Sequence, residues 1–143
     1  MTRFLILAIA ISLVGCGRSG PPVDVVVPRM FNGPIWIILD VNGPAIPLVE
    51  GRYHVVIPID GVLRVNSLRP FQKWHELNTR FEDGTQLPNA SEAPSGTVAF
   101  WHGGSHSKGR VDGGEDTWIS YYVGTSKQHS LLPLTNWPPG IER

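Results

Sequence analysis

Proline and glycine break this chain before any long helix can run. Thirteen Pro and sixteen Gly are spread along it, and each would cost an interior helix about 1 kcal/mol (Gly) or 3 kcal/mol (Pro). No long stretch keeps the apolar period of about 3.6 residues that an amphipathic helix needs. Between the breaks lie short apolar runs: PIWIILDV (34–41), RYHVVIPI (52–59), GVLRV (61–65), TVAFW (97–101) and TWISYYV (117–123). They are rich in β-branched and aromatic residues, and the first two alternate. Ile35, Ile37 and Leu39 oppose Trp36, Ile38 and Asp40, while Tyr53, Val55 and Ile57 oppose His54 and Val56. Asn32-Gly33-Pro34, Asn42-Gly43-Pro44 and Asp60-Gly61 punctuate the runs with residues that tolerate positive φ. This is the pattern of an all-β domain, a small antiparallel β-sandwich or a partly open barrel. Ile37, Leu39, Val55, Ile57, Val98 and Phe100 are its expected core. Pro58 would remove a ladder hydrogen bond, so its strand is expected to stop there or lie at an edge. KWHELNTRFEDG (73–84) fits helix or strand and alternates better as strand. SKQHSLL (126–132) fits one helical turn.

The N-terminus follows a different rule. Arg3 is the only charge in the first fifteen residues, and FLILAIAISLV (4–14) follows it. A basic start with an apolar stretch of roughly 7–15 residues is a secretory signal pattern, too short for the roughly 20 residues of a membrane-spanning helix. The run ends Leu13-Val14-Gly15-Cys16, and Cys16 is the only cysteine, which excludes an internal disulfide. This ending resembles the lipobox of bacterial lipoproteins. The resemblance implies cleavage after Gly15, a thioether-linked diacylglyceryl group on Cys16 and acylation of the new amine by a palmitate-type chain. A thiolate suits that alkylation, and two or more acyl chains hold a protein stably on a membrane. By resemblance to known sorting signals, Gly17 in place of Asp implies the outer membrane where the organism has one.

The expected organisation is a signal peptide (1–15), a lipidated Cys16 with a Gly/Ser/Pro tether (16–24), an all-β domain (25–127) and an irregular tail (128–143). Twelve Lys/Arg balance twelve Asp/Glu, and no basic stripe is present, so nucleic acid is not an expected partner.

Residues Gly33, Gly43, Pro47, Gly51, Tyr53, Ile57, Pro58, Gly61, Val62 and Leu63, with ISYYVGT at 119–125, resemble an exported bacterial family of unknown function. Its pattern is a Gly-x-Pro segment, a Tyr-containing strand and an Ile-Pro-x-x-Gly-Val-Leu turn. The likeness spans roughly 25–127 and concerns scaffold residues. The stretches 89–96 and 103–116 match nothing in it.

One constellation carries ligand chemistry. WHGGSHSKGRVDGGEDTW (101–118) holds His102, His106, Asp112, Glu115 and Asp116, donor types that suit zinc. The Gly103-Gly104-Ser105 spacer is a poor helix, no Glu follows His102 as in zinc proteases, and the carboxylate spacing does not match an EF-hand. The plainer expectation is a flexible hairpin loop over 102–116. His75 and Glu76 adjoin, but neighbours on a strand face opposite ways. Trp101, Trp118 and Tyr122 are candidates for a stacking platform toward a glycan or an envelope protein, against the expectation that aromatics such as Trp36, Tyr53, Phe81 and Phe100 fill the core. The sequence thus points to an anchored envelope protein with a binding or structural module, with no cofactor beyond the covalent lipid. The alternative is a zinc-dependent envelope enzyme using His102 and His106, with Asp112 as a third ligand. No catalytic residue is assigned.

Overall fold

A computed structural model describes residues 19–132 and 137–141. The expected signal peptide, Cys16 and the first part of the expected tether lie outside the described residues. Among the described residues eight strands form: β1 (Val23–Val27), β2 (Gly33–Leu39), β3 (Leu48–Val49), β4 (Arg52–Val56), β5 (Val62–Val65), β6 (Leu77–Phe81), β7 (Ala99–Gly109) and β8 (Glu115–Gly124). A 3-10 turn, Arg69–Phe71, precedes β6, and one short helix, α1 (Ser126–Ser130), follows β8. The strands make two four-stranded sheets, a first in the order β3-β4-β1-β6 and a second in the order β5-β2-β8-β7. The all-β expectation holds, as open sheets and not as a closed barrel.

The antiparallel expectation holds for only half of the ladders. β3–β4, β2–β8 and β7–β8 are antiparallel, whereas β1–β4, β1–β6 and β2–β5 are parallel. The reason is the path of the chain. From β1 to β6 it crosses from one sheet to the other at every connection but the β3–β4 turn. The crossings from β1 to β2, from β4 to β5 and from β5 to β6 reverse its direction, so β4 and β6 both run parallel to β1 and β5 runs parallel to β2, whereas the crossing from β2 to β3 keeps its direction and leaves β3 antiparallel to β4. The segments 28–32 and 57–61, which look like hairpin turns in sequence, are such crossings. Gly61 sits in the second with φ +75, and a Cβ there would stand 2.4 Å from the Pro34 carbonyl oxygen, so only glycine lets this crossing lie against the start of β2.

The core lies between the sheets. Val23, Val25, Val27, Val55 and Ile57 from the first sheet pack on Ile35, Ile37, Val65, Phe100, Ile119, Tyr121 and Val123 from the second. Tyr121 is pushed well above the ordinary phenol pKa by that burial. The outward side of the first sheet is polar. Arg52 donates two hydrogen bonds to Asp24, of 2.9 and 2.7 Å, and Asn78 adds one of 3.3 Å. The Arg52 hydrogen bonds hold the Asp24 carboxyl below its ordinary range, against the opposing effect of burial.

Four expected residues, Ile37, Val55, Ile57 and Phe100, are buried, and two are not. Leu39 and Val98 are each 38% exposed. Leu39 lies one residue past Ile38–Trp118, the last pair between β2 and β8, and so past the cover. Val98 precedes the first residue of β7, where the two-residue alternation does not yet apply. The fold also begins earlier than expected, at Val23, inside the stretch read as tether. The 73–84 stretch is strand only from Leu77.

Truncating Ile37 to Ala is expected to cost about 2–5 kcal/mol, because it opens a cavity between the sheets. The same change at Leu39 is expected to cost under about 1 kcal/mol, as at surface positions. Urea unfolding midpoints of the two variants check the contrast, and equal losses would contradict the burial described.

Candidate functional site

The outward side of the second sheet is unlike that of the first. Alternation along β2 and β8 sends Trp36, Ile38, Trp118, Ser120 and Tyr122 to this side. The register Trp36↔Ser120, Ile38↔Trp118 and Trp101↔Tyr122 gathers them into one field. Two segments partly roof it. At one end Trp137 and Ile141 pack on Trp36, Ile38 and Trp118, with the Trp118 and Trp137 rings 5.4 Å apart. Lys108 lies 4.6 Å over the Trp137 ring, in cation–π range. At the other end α1 brings His129 against Trp101, stacked at 4.5 Å and 11°, and against Tyr122 at 5.7 Å. Thr125-x-x-Gln128 closes a capping box that fixes where α1 starts, and so where His129 sits.

Between the two roofs is a cleft of about 330 Å³ lined by Pro34, Trp36, His106, Ser120, Tyr122 and His129, among others. The His106 Nε2 lies 2.9 Å from the Ser120 Oγ, and its ring stacks 5.4 Å from Trp118. The Tyr122 hydroxyl donates to the Asn32 Oδ1 at 3.3 Å, and burial raises its pKa. The walls are aromatic, the polar groups are hydroxyls and imidazoles, and among the described residues no carboxylate, lysine or arginine lines the cleft. Such a site suits a neutral ligand that stacks and hydrogen-bonds. A serine beside an imidazole is half of a nucleophile–base arrangement, but among the described residues no carboxylate is hydrogen-bonded to His106 to orient it.

The sequence candidates are placed as follows. Trp101, Trp118 and Tyr122 do share one face, yet they do not form an open platform. Trp118 is 4% exposed beneath His106 and Trp137, Tyr122 is buried, and Trp101 is half-buried against His129 with its indole donating to the Gly124 carbonyl at 2.8 Å. The Trp118 indole N–H is buried with no hydrogen-bond partner among the described residues.

His102 and His106 do not converge. Ladder pairing runs His102↔Tyr121, then Gly104↔Ser120, so Gly103 is the extra residue of a β-bulge. Without that residue, positions four apart would face the same way. With it, His102 pairs with Tyr121 on the inward side and His106 with Trp118 on the outward side. A Cβ on Gly103 would stand 2.3 Å from the Ser120 Oγ, so the bulge needs glycine there. Asp112 lies at the hairpin turn, accepting from Arg110 Nε at 3.0 Å and from the Gly114 amide at 2.9 Å. Among the described residues no three His, Cys, Asp or Glu side chains gather as a metal site would require. The expected flexible loop over 102–116 is instead a two-stranded ribbon, with the ladder reaching Gly109↔Glu115 and only 110–114 turning. Ser120, His129 and Pro34 were not singled out in the sequence. The capping-box spacing at 125–128 and the even positions of TWISYYV are the signals that carry them.

No family model and no curated protein matches the chain. A crystal structure from Bacillus anthracis, of a protein provisionally described as a lipoprotein, is similar in fold. The TM-score is 0.54 at 14% sequence identity, covering 87% of this chain and 85% of that one. At this identity the likeness shows the fold.

Because the bulge separates the two imidazoles, replacing His102 and His106 by Ala is expected to have additive effects totalling under about 1 kcal/mol. Chelator is expected to leave the melting temperature unchanged. Melting of single and double variants with and without chelator, beside metal content, checks this. Bound zinc lost only when both are replaced would restore the metal reading.

Proposed function

We propose that this chain is a lipid-anchored envelope lipoprotein whose β-sandwich is a binding or structural module, with the cleft on the second sheet as its ligand site. The observation that carries the anchor is Leu13-Val14-Gly15-Cys16 standing just ahead of a fold that begins at Val23. The provisional description of the similar Bacillus anthracis protein supports it. Among the described residues no helix is long and apolar enough to cross a membrane. In a two-membrane cell, Gly17 favours the outer membrane. The neutral aromatic walls around Trp36, Tyr122, His106 and His129 favour a glycan or an uncharged segment of an envelope protein as partner. Binding, and not a reaction, is the activity proposed.

Cys16→Ser is expected to abolish fatty-acid labelling and to leave unprocessed precursor, or to release the protein from the membrane fraction. Labelling with palmitate and fractionation of envelopes test this. A mature, lipid-labelled form surviving in the variant would refute the anchor.

A further inference from the structure

We propose that the end of the first sheet where β1 enters rests on the bilayer, with the Trp74 indole seated among the lipid headgroups; this rests on the lipid-anchor reading above. Four peptide steps separate Cys16 from Gly20, a span of at most about 14 Å when fully extended. From Gly20 onward the chain is fastened to the segment that carries Trp74. The Gly20 amide donates to the Trp74 carbonyl at 2.8 Å, and the Val23 amide to the Glu76 carbonyl at 2.8 Å. A Cβ on Gly20 would meet the Lys73 Cβ at 3.4 Å. Acyl chains on Cys16 therefore hold this end of the domain at the membrane surface.

What they hold there is an exposed indole. Trp36 and Trp118 are buried, Trp101 stacks on His129 and Trp137 packs on Trp118, whereas Trp74 is 80% exposed. Tryptophan favours the headgroup level of a bilayer, where its ring is half desolvated and its N–H still finds acceptors. Leu48 and Val49 lie at the same end, paired with Tyr53 and Arg52, and both are about half exposed. Tyr53 and Leu77 align with Val23, which sets all of these residues at one level of the sheet. β1 is an interior strand, so the strands rise from the membrane and do not hang from one edge. The β7–β8 ribbon runs past Ile38↔Trp118, the last pair between β2 and β8, toward the same end of the sandwich. Its turn shares a cleft with Gly140, beside the residues that roof the outward side of the second sheet.

Charge does not select the lipid. Lys73 and Arg52 share this end with Asp24, Glu50 and Glu76, and Arg52 is tied to Asp24. The contact is accordingly the indole's, and a zwitterionic surface suffices.

The test uses the full lipidated protein, purified from membranes, with the lipid on Cys16 verified by mass spectrometry. It is reconstituted into phosphatidylcholine vesicles with acyl chains either plain or brominated near the glycerol end. The expected result is a loss of tryptophan emission in brominated vesicles that Trp74→Phe abolishes. The exposed ring makes that variant safe for the fold, and circular dichroism checks it. Equal emission in both vesicles, or a loss unchanged in Trp74→Phe, overturns the placement of Trp74 while leaving the anchor standing. An unmodified Cys16 overturns both.

Discussion

The pairing of β1 on both of its edges is the constraint on which the rest depends. Val23–Val27 lies between β4 and β6, parallel to each, and its Val23, Val25 and Val27 side chains are fully buried. An interior strand of alternating valines cannot be peeled away without exposing the apolar layer between the sheets, a loss of about 1.5–3 kcal/mol for each valine uncovered. The stretch from Cys16 to the domain therefore stays short. The proposed anchor at Cys16 would be coupled to the core through a few residues, and any orientation the lipid imposed would be transmitted to the whole sandwich.

The second sheet is decided by a single residue. Gly103 adds one position to β7, and side chains alternate with a period of two, so everything beyond it changes face. His102 turns inward beside Tyr121, and His106 turns outward to stack on Trp118 and meet Ser120. The same step that takes the two imidazoles apart completes the wall of the cleft. Its other wall is set by the helix cap at Thr125, which delivers His129 to Trp101 and Tyr122. Aromatic residues that might have filled a core make a second apolar layer here, over which 137–141 and α1 lie.

Much of this was legible in the residues and some was not. Apolar runs bounded by Pro and Gly gave the strands, and alternation gave the buried faces of Ile37, Val55, Ile57 and Phe100, because both are local properties. The parallel ladders were hidden, since Asn-Gly and Asp-Gly mark a turn without saying whether the chain doubles back in its own sheet or crosses to the other. The first two residues of β1, Val23 and Asp24, were read as tether because two prolines precede them and Asp24 interrupts the valines. Its Asp24 is accommodated by Arg52, twenty-eight positions away, a partner that local pattern cannot show. The ribbon over 102–116 was read as loop because its glycines and serines have low strand propensity; cross-strand pairing to Glu115–Trp118 overrides that. The bulge at Gly103 is invisible in spacing, which is why His102 and His106 look like a ligand pair in sequence.

The central claim is that β1 is a core strand joined directly to the proposed anchor, and amide hydrogen exchange on the mature protein tests it most directly. The Val23–Val27 amides are expected to exchange as slowly as those of Ile35–Ile38, at the rate set by global unfolding. Exchange in β1 as fast as at the ribbon turn around Val111 would show that the segment after the anchor is not part of the core, and would contradict the account.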